Sequence, residues 1–177
     1  MNEERKPCVL AVSGVKNSGK TTLITRVLPF LTERGVRTAV IKHDGHDFQA
    51  DVPGTDSCRH FQAGAYGTAV FSDKKYMVVK RQEGTVPEAL MGQFPEADLI
   101  LLEGLKDSAY PKIEVVRRGN SDRMVCRKAV AAVASDLPRD KIEGVWESLR
   151  LLDLNDPKGV ADFILKYMKT ETKRPDA

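Results

Sequence analysis

The residues with the clearest chemical purpose lie near the start of the chain. Gly14-Val15-Lys16-Asn17-Ser18-Gly19-Lys20-Thr21 fits the pattern G-x-x-x-x-G-K-[ST]. Its two glycines let the backbone curl, so that consecutive N–H groups turn inward and form an anion cradle. A helix starting at Thr21 would add its positive N-terminal end. The Lys20 ammonium suits β- and γ-phosphate oxygens, and the Thr21 hydroxyl suits Mg²⁺. Thr22 follows within reach of an α-phosphate oxygen. A glycine-rich turn with a capping threonine would explain neither Lys20 nor the second glycine. The chemistry indicated is the binding of a nucleoside triphosphate.

A phosphate loop also needs a carboxylate at the end of a neighbouring strand, to hold the metal or its water shell. Asp98-Leu-Ile-Leu-Leu-Glu103-Gly104 supplies it, with the apolar run as the strand and Glu103 at its end. Glutamate is one methylene longer than the usual aspartate, so water-mediated contact is as open as direct ligation. Thr21 and Glu103 are thus the expected metal ligands, and Lys20 and Glu103 the expected catalytic pair. Gly104 would let the next loop approach the terminal phosphate, while Asp98 sits at the far end of the strand.

Base recognition is less clearly written. The N-K-x-D signature by which many GTPases read guanine is absent. The motif alone does not choose between GTP and ATP; were the base guanine, its N1–H and N2–H₂ donors would call for a carboxylate acceptor. Asp136, just after an apolar run, is the best-placed acceptor, with Asp153, Asn155 and Asp156 behind it. Ala-Ser-Asp-Leu-Pro is explained equally well as a turn.

Three other groups carry potential chemistry. His43, Asp44, His46 and Asp47 lie in a polar stretch at 43–54, long enough to be functional or mobile. It could serve the nucleotide or a second ligand, hold a zinc or nickel ion through its two histidines, or be a solvated loop. Asp51-Val-Pro-Gly-Thr-Asp-Ser57 contains a turn, and Asp56 or Ser57 could cap a short helix. The basic residues Lys112, Arg117, Arg118, Arg123, Arg127 and Lys128 could hold an anion or an acidic partner, but most such charges form a solvated face.

The elements that must position these residues alternate. Strands are expected at 8–13, 37–42, 98–102, 113–117 and 129–134, and helices at 21–33, 56–63, 86–94 and 157–169. Pro29 inside the first helix predicts a kink or a split. Runs at 68–72 and 76–80 flank an SDKK turn and suggest an antiparallel hairpin. The pattern is α/β: a three-layer P-loop nucleotide-binding fold over 8–169, mostly parallel with that hairpin, between tails at 1–7 and 170–177. The hairpin and the strand at 113–117 are the expected surfaces for pairing two chains.

Composition bounds the rest. The chain has 177 residues, giving a prior of roughly one domain. Lys and Arg total 28 against 25 Asp and Glu, a net charge of +3, and aromatics are 6%. That balance gives little support to nucleic-acid binding. Three cysteines without CxxC spacing fit a reducing compartment, no signal peptide is visible at the start, and no run is long enough to span a bilayer. A cytoplasmic protein is expected.

The motifs occur in a specific order: Val12 to Leu23 around the phosphate loop, Ile41-Lys-His43, Asp51 to Ser57 followed by Ala63-Gly64, Leu102-Glu-Gly104, Ala132-Val-Ala-Ser-Asp136 and Leu152-Asp-Leu-Asn-Asp156. Together they resemble the molybdopterin-guanine dinucleotide biosynthesis protein B family over residues 8–168. The resemblance implies a P-loop GTPase-like fold, a homodimer, GTP with Mg²⁺, and weak hydrolysis. It also implies a role beside a molybdenum cofactor guanylyltransferase, and possible contact with molybdopterin-bound proteins. The family's phosphate-loop positions carry over to Gly14, Gly19, Lys20, Thr21 and Thr22, and its acidic residue to Glu103. Competing readings are a small-molecule kinase, which would need 117–128 as a lid, a metal-insertion NTPase, and an interaction module with an idle site.

Overall fold

The computed structural model describes residues 6–171. Among the described residues two compact units emerge, one made of residues 6–43 and 90–171 and the other of residues 44–89. The length alone predicts one fold; here the central segment forms a unit of its own.

The larger unit is built on six strands. They are β1 (Cys8–Ser13), β2 (Thr38–Lys42), β5 (Leu99–Glu103), β6 (Lys112–Val116), β7 (Val130–Ser135) and β8 (Arg150–Asp153). Their order across the sheet is β2-β5-β1-β6-β7-β8, and every neighbouring pair is parallel. Parallel sheets are covered on both faces, which explains why β5 reads LILLE and is buried throughout. One face carries Leu10, Val12, Leu99, Leu101, Ile113 and Val115 against two helices, α1 (Lys20–Glu33) and α4 (Pro157–Glu171). The other face holds Ala11, Ile41, Ile100 and Leu102 under Met91, Leu105 and Tyr110, with a second patch around Val116 and Val133.

Helix α1 contributes Leu23, Ile24, Val27 and Leu31 to the core at three- and four-residue spacing. It runs unbroken through Pro29, so of the kink or split expected there the split does not occur. Pro29 and Thr25 are both exposed, so the carbonyl that loses its donor is open to water. Gly35 at φ +73 follows the helix, and its N–H reaches the Thr32 carbonyl. α4 continues to Glu171, two residues past its expected end. The rest of the expected C-terminal tail, and most of the N-terminal one, lie outside the described residues.

Two strand expectations change. β8 was not foreseen: it is four residues long, an edge, and leucine-rich rather than β-branched. β6, expected as a pairing surface, is enclosed between β1 and β7 and every residue of it is buried. It has no free edge. Its polar residues face inward too. Lys112 and Glu114 are fully buried, with Lys112 Nζ donating to the carbonyls of Ser108 at 2.6 Å and Lys128 at 3.0 Å. Lys112 therefore leaves the solvated basic face to which its type assigned it.

The smaller unit holds α2 (Asp56–Gln62) and a two-stranded antiparallel sheet of β3 (Gly67–Phe71) and β4 (Tyr76–Lys80). Thr55 caps α2, accepting from the Cys58 N–H at 3.4 Å, where Asp56 or Ser57 was expected. Asp51 is used locally, its Oδ1 accepting from the Val52 N–H at 2.7 Å and the Thr55 hydroxyl at 3.3 Å. The hairpin does not join the larger sheet. The helix expected over 86–94 shortens to α3 (Pro87–Met91).

Candidate functional site

The carboxyl ends of the parallel strands converge on one rim, the usual ligand face of an open α/β sheet. β1 ends in the phosphate loop, β2 in Lys42, β5 in Glu103, β7 leads to Asp136, and β8 leads to Asn155.

The loop's conformation depends on its glycines. Gly14 sits at φ +141, and a Cβ placed there would lie 2.6 Å from the Val115 carbonyl oxygen and 3.0 Å from Ser18 Oγ. Only glycine fits. Gly19, at φ +97, precedes the first turn of α1, and Asn17 adopts a left-handed φ of +61. Ser18 is fully buried and its hydroxyl is without a hydrogen-bond partner among the described residues. Asn120 donates from its side chain to the Lys16 carbonyl at 3.2 Å, tying the loop to the segment after β6.

Lys20 folds across the loop, its Nζ donating to the Val15 carbonyl at 2.7 Å and to that of Gly14 at 3.4 Å. Burial lowers its pKa, Glu103 opposes that shift, and Lys42 adds to it. Thr21 Oγ1 donates to Glu103 Oε1 at 2.6 Å. Glu103 is buried, and the same oxygen lies 3.6 Å from Lys42 Nζ. Its backbone carbonyl accepts from the His43 N–H at 3.0 Å, and the Gly104 N–H donates to the Val12 carbonyl at 3.0 Å. Ser13 donates its hydroxyl to the Gly104 carbonyl. Gly104 has φ +107, and a Cβ there would stand 3.5 Å from the His43 carbonyl.

Two hard oxygen donors from Thr21 and Glu103, side by side at a helix N-terminus, suit Mg²⁺. The glycine-dependent loop, the buried Ser18 hydroxyl and Lys20 suit a polyphosphate. The sequence-derived set Gly14, Val15, Lys16, Asn17, Ser18, Gly19, Lys20, Thr21, Thr22, Glu103 and Gly104 thus falls on one stretch of the rim.

Asp136 lies beyond it, at a pocket lined by Gly19, Thr22, Arg117, Asp136, Leu154 and Asn155. One oxygen of Asp136 accepts from the Arg118 N–H at 2.7 Å, which fixes the carboxylate. Of the acceptors considered behind it, only Asn155 lines this pocket. Asp153 accepts from the Asn155 N–H at 2.8 Å, and Asp156 from the Gly159 N–H at 3.0 Å at the start of α4. Arg117, one of the six basic residues offered as anion holders, is the one placed at the loop: it comes within 3.6 Å of a Cβ built on Gly19. The adjacency exists because β6 lies beside β1.

The histidine-bearing stretch offers no metal centre. Among the described residues, no three His, Cys, Asp or Glu side chains come close enough to hold an ion. The three cysteines are free thiols. Among the described residues, no helix is long and apolar enough to cross a membrane. The segment 117–128, which a kinase reading would need as a lid, is anchored by Arg118 to Asp136, Asn120 to Lys16, and the Cys126 N–H to the buried Glu114 carboxylate at 3.1 Å.

Comparison with known proteins identifies the family. Residues 9–136 match the family model described as MobB, molybdopterin guanine dinucleotide synthesis protein B. The chain is 36% identical to the molybdopterin-guanine dinucleotide biosynthesis adapter protein of Escherichia coli (strain K12), covering 92% of this chain and 94% of that one. It is 32% identical to the adapter protein of the same description from Haemophilus influenzae, covering 90% and 89%. The crystal structure of Bacillus subtilis MobB superposes with a TM-score of 0.71 at 28% identity, over 90% of this chain and 96% of that one. The chain belongs to the molybdopterin-guanine dinucleotide synthesis protein B family.

Proposed function

We propose that this protein is a cytoplasmic adapter in molybdopterin-guanine dinucleotide biosynthesis, which binds GTP with Mg²⁺ and hydrolyses it weakly. The observation that carries the nucleotide reading is the Thr21–Glu103 pair beside Lys20 in a loop that Gly14 alone can close. The loop N–H groups from Gly14 to Thr22 and the Lys20 ammonium would hold the phosphates. Thr21 and Glu103 would hold the metal, which supplies charge neutralisation at the phosphates. Asp136, oriented by Arg118, keeps a second oxygen to accept guanine N–H donors.

An adapter of this size hands its nucleotide or cofactor to a partner, here a molybdenum cofactor guanylyltransferase. A homodimer is supported by one face of the hairpin, where Phe71, Tyr76 and Val78 are 85%, 69% and 60% exposed. The register places Phe71 opposite Tyr76 and Ala69 opposite Val78, so these apolar groups share that face. The kinase reading is weakened by the anchored 117–128 segment, and the metal-insertion reading by the missing ligand cluster.

Binding of γ-labelled GTP with Mg²⁺, followed by scoring of free phosphate, tests the reading. Wild type is expected to bind and to release phosphate slowly, with no label passed to a small acceptor. Lys20→Ala is expected to weaken binding by more than about tenfold. Affinity within about threefold of wild type would remove Lys20 from the phosphate site.

A further inference from the structure

Lys42 has no part in the scheme above, yet it sits at its centre of charge. It is the last residue of β2 and the register partner of Glu103. Its ammonium lies 3.6 Å from Glu103 Oε1, the oxygen that also accepts the Thr21 hydroxyl. The lysine of this pair is half exposed although Glu103 is buried, so its charge remains largely solvated. Glu103 does not need it for hydrogen bonding, because Thr21 already donates at close range.

The local charge count points to an anion. Lys42 Nζ lies 3.6 Å from Glu103 Oε1, and Lys20 directly precedes Thr21, whose hydroxyl bonds that same oxygen. Two ammonium groups against one carboxylate leave one positive charge in excess at the rim.

The strand order says which part of a nucleotide lies nearest to it. The pocket with Asp136 and Asn155 lies on the β6-β7-β8 side of the phosphate loop, whereas Lys42 lies on the β5-β2 side. A nucleotide with its base in that pocket and its phosphates on the loop therefore points its terminal phosphate toward Lys42. The strand register, together with the His43 N–H bond to the Glu103 carbonyl, fixes where the lysine begins. Its side chain is 54% exposed, so the four-carbon stem is free to swing.

We propose that Lys42 is a second phosphate-site cation, which exchanges Glu103 for the terminal phosphate and so makes the site prefer nucleoside triphosphate over diphosphate. This rests on the nucleotide reading given above. When Glu103 turns its oxygen toward a metal shared with Thr21, Lys42 loses its partner. The terminal phosphate then offers charged acceptors on the same side.

The test is titration of wild type, Lys42→Met and Lys42→Arg with Mg²⁺ and either GDP or a non-hydrolysable GTP analogue, read by calorimetry, with thermal unfolding of each free protein. Lys42→Met is expected to lose about tenfold or more in affinity for the triphosphate and less than about threefold for GDP. Lys42→Arg should recover most of the preference. Equal losses for both nucleotides, or none, would overturn the role of Lys42 while leaving the nucleotide site standing. A lower unfolding temperature with an unchanged triphosphate-to-diphosphate ratio would reduce Lys42 to a structural ion pair. Failure of wild type to bind either nucleotide would overturn the nucleotide reading and this proposal with it.

Discussion

Thr21 Oγ1 donates to Glu103 Oε1 at 2.6 Å, joining the first turn of α1 to the carboxyl end of β5 across 82 residues of sequence. The bond holds two metal-type oxygens together before any metal is required. Glu103 lies at the end of the strand next to β1, so the sheet itself sets the distance between loop and carboxylate.

Removing either oxygen should uncouple nucleotide affinity from Mg²⁺. Thr21→Ala and Glu103→Gln are each expected to cut Mg²⁺-supported GTP affinity by about tenfold or more. Binding measured in EDTA should change far less. Thr21→Ser keeps the hydroxyl and should stay within about threefold of wild type. A metal-independent loss in Thr21→Ala would mean that the hydroxyl serves the loop and not the ion.

How much of this site could be read beforehand depends on how local its chemistry is. The phosphate loop is eight consecutive residues with a required strand before and helix after, so the chain states it outright. Glu103 was legible because a fully buried strand must be apolar and Glu103 ends that run. Arg117 beside Gly19 was not, because it depends on β6 lying next to β1, and strand order is not written in either segment. Lys112 misled for a related reason. A basic residue beside a strand reads as part of a solvated face, whereas β6 is central and both of its faces are covered. β8 escaped notice as a four-residue edge strand with charged ends.

The phosphate loop should be unusually intolerant at its first glycine. Gly14→Ala would place a methyl group 2.6 Å from the Val115 carbonyl oxygen at φ +141, where two costs add. The expected loss of stability is about 2–4 kcal/mol, measured by urea denaturation. Gly54→Ala is the control: its φ is +88 but nothing lies within 4 Å, so only the backbone cost of about 1 kcal/mol remains. Equal effects at the two positions would rule out the close approach to Val115.

Base selection should depend on Asp136. Its Oδ1 is held by the Arg118 N–H at 2.7 Å, leaving Oδ2 for the base. Asp136→Asn keeps the shape but presents an N–H₂ where guanine needs an acceptor. GTP affinity is expected to fall about tenfold or more while ATP binding changes little, in competition titrations against a fluorescent nucleotide. Parallel losses for both nucleotides would indicate that Asp136 only shapes the 118–121 turn.

Glu114 gives the protein a distinct dependence on pH. Its carboxylate is fully buried and accepts from the N–H of Cys126 at 3.1 Å, holding the segment after β6 against the sheet. Burial is the largest influence and raises its pKa above the ordinary 4.5, while bonds from the Val125 and Cys126 N–H groups and the charge of Lys112 pull it back. A carboxyl whose pKa is raised by folding binds its proton more tightly in the native state. Its contribution is therefore complete below pH 4.5 and is lost as pH rises through the folded value. Glu114→Gln keeps an acceptor for the backbone N–H groups and removes the ionisation. The stability of wild type minus that of Glu114→Gln, from urea midpoints between about pH 4 and pH 7, should fall as pH increases. A difference that rises with pH would show that the backbone bonds and Lys112 outweigh burial, and that Glu114 stabilises the fold as an anion.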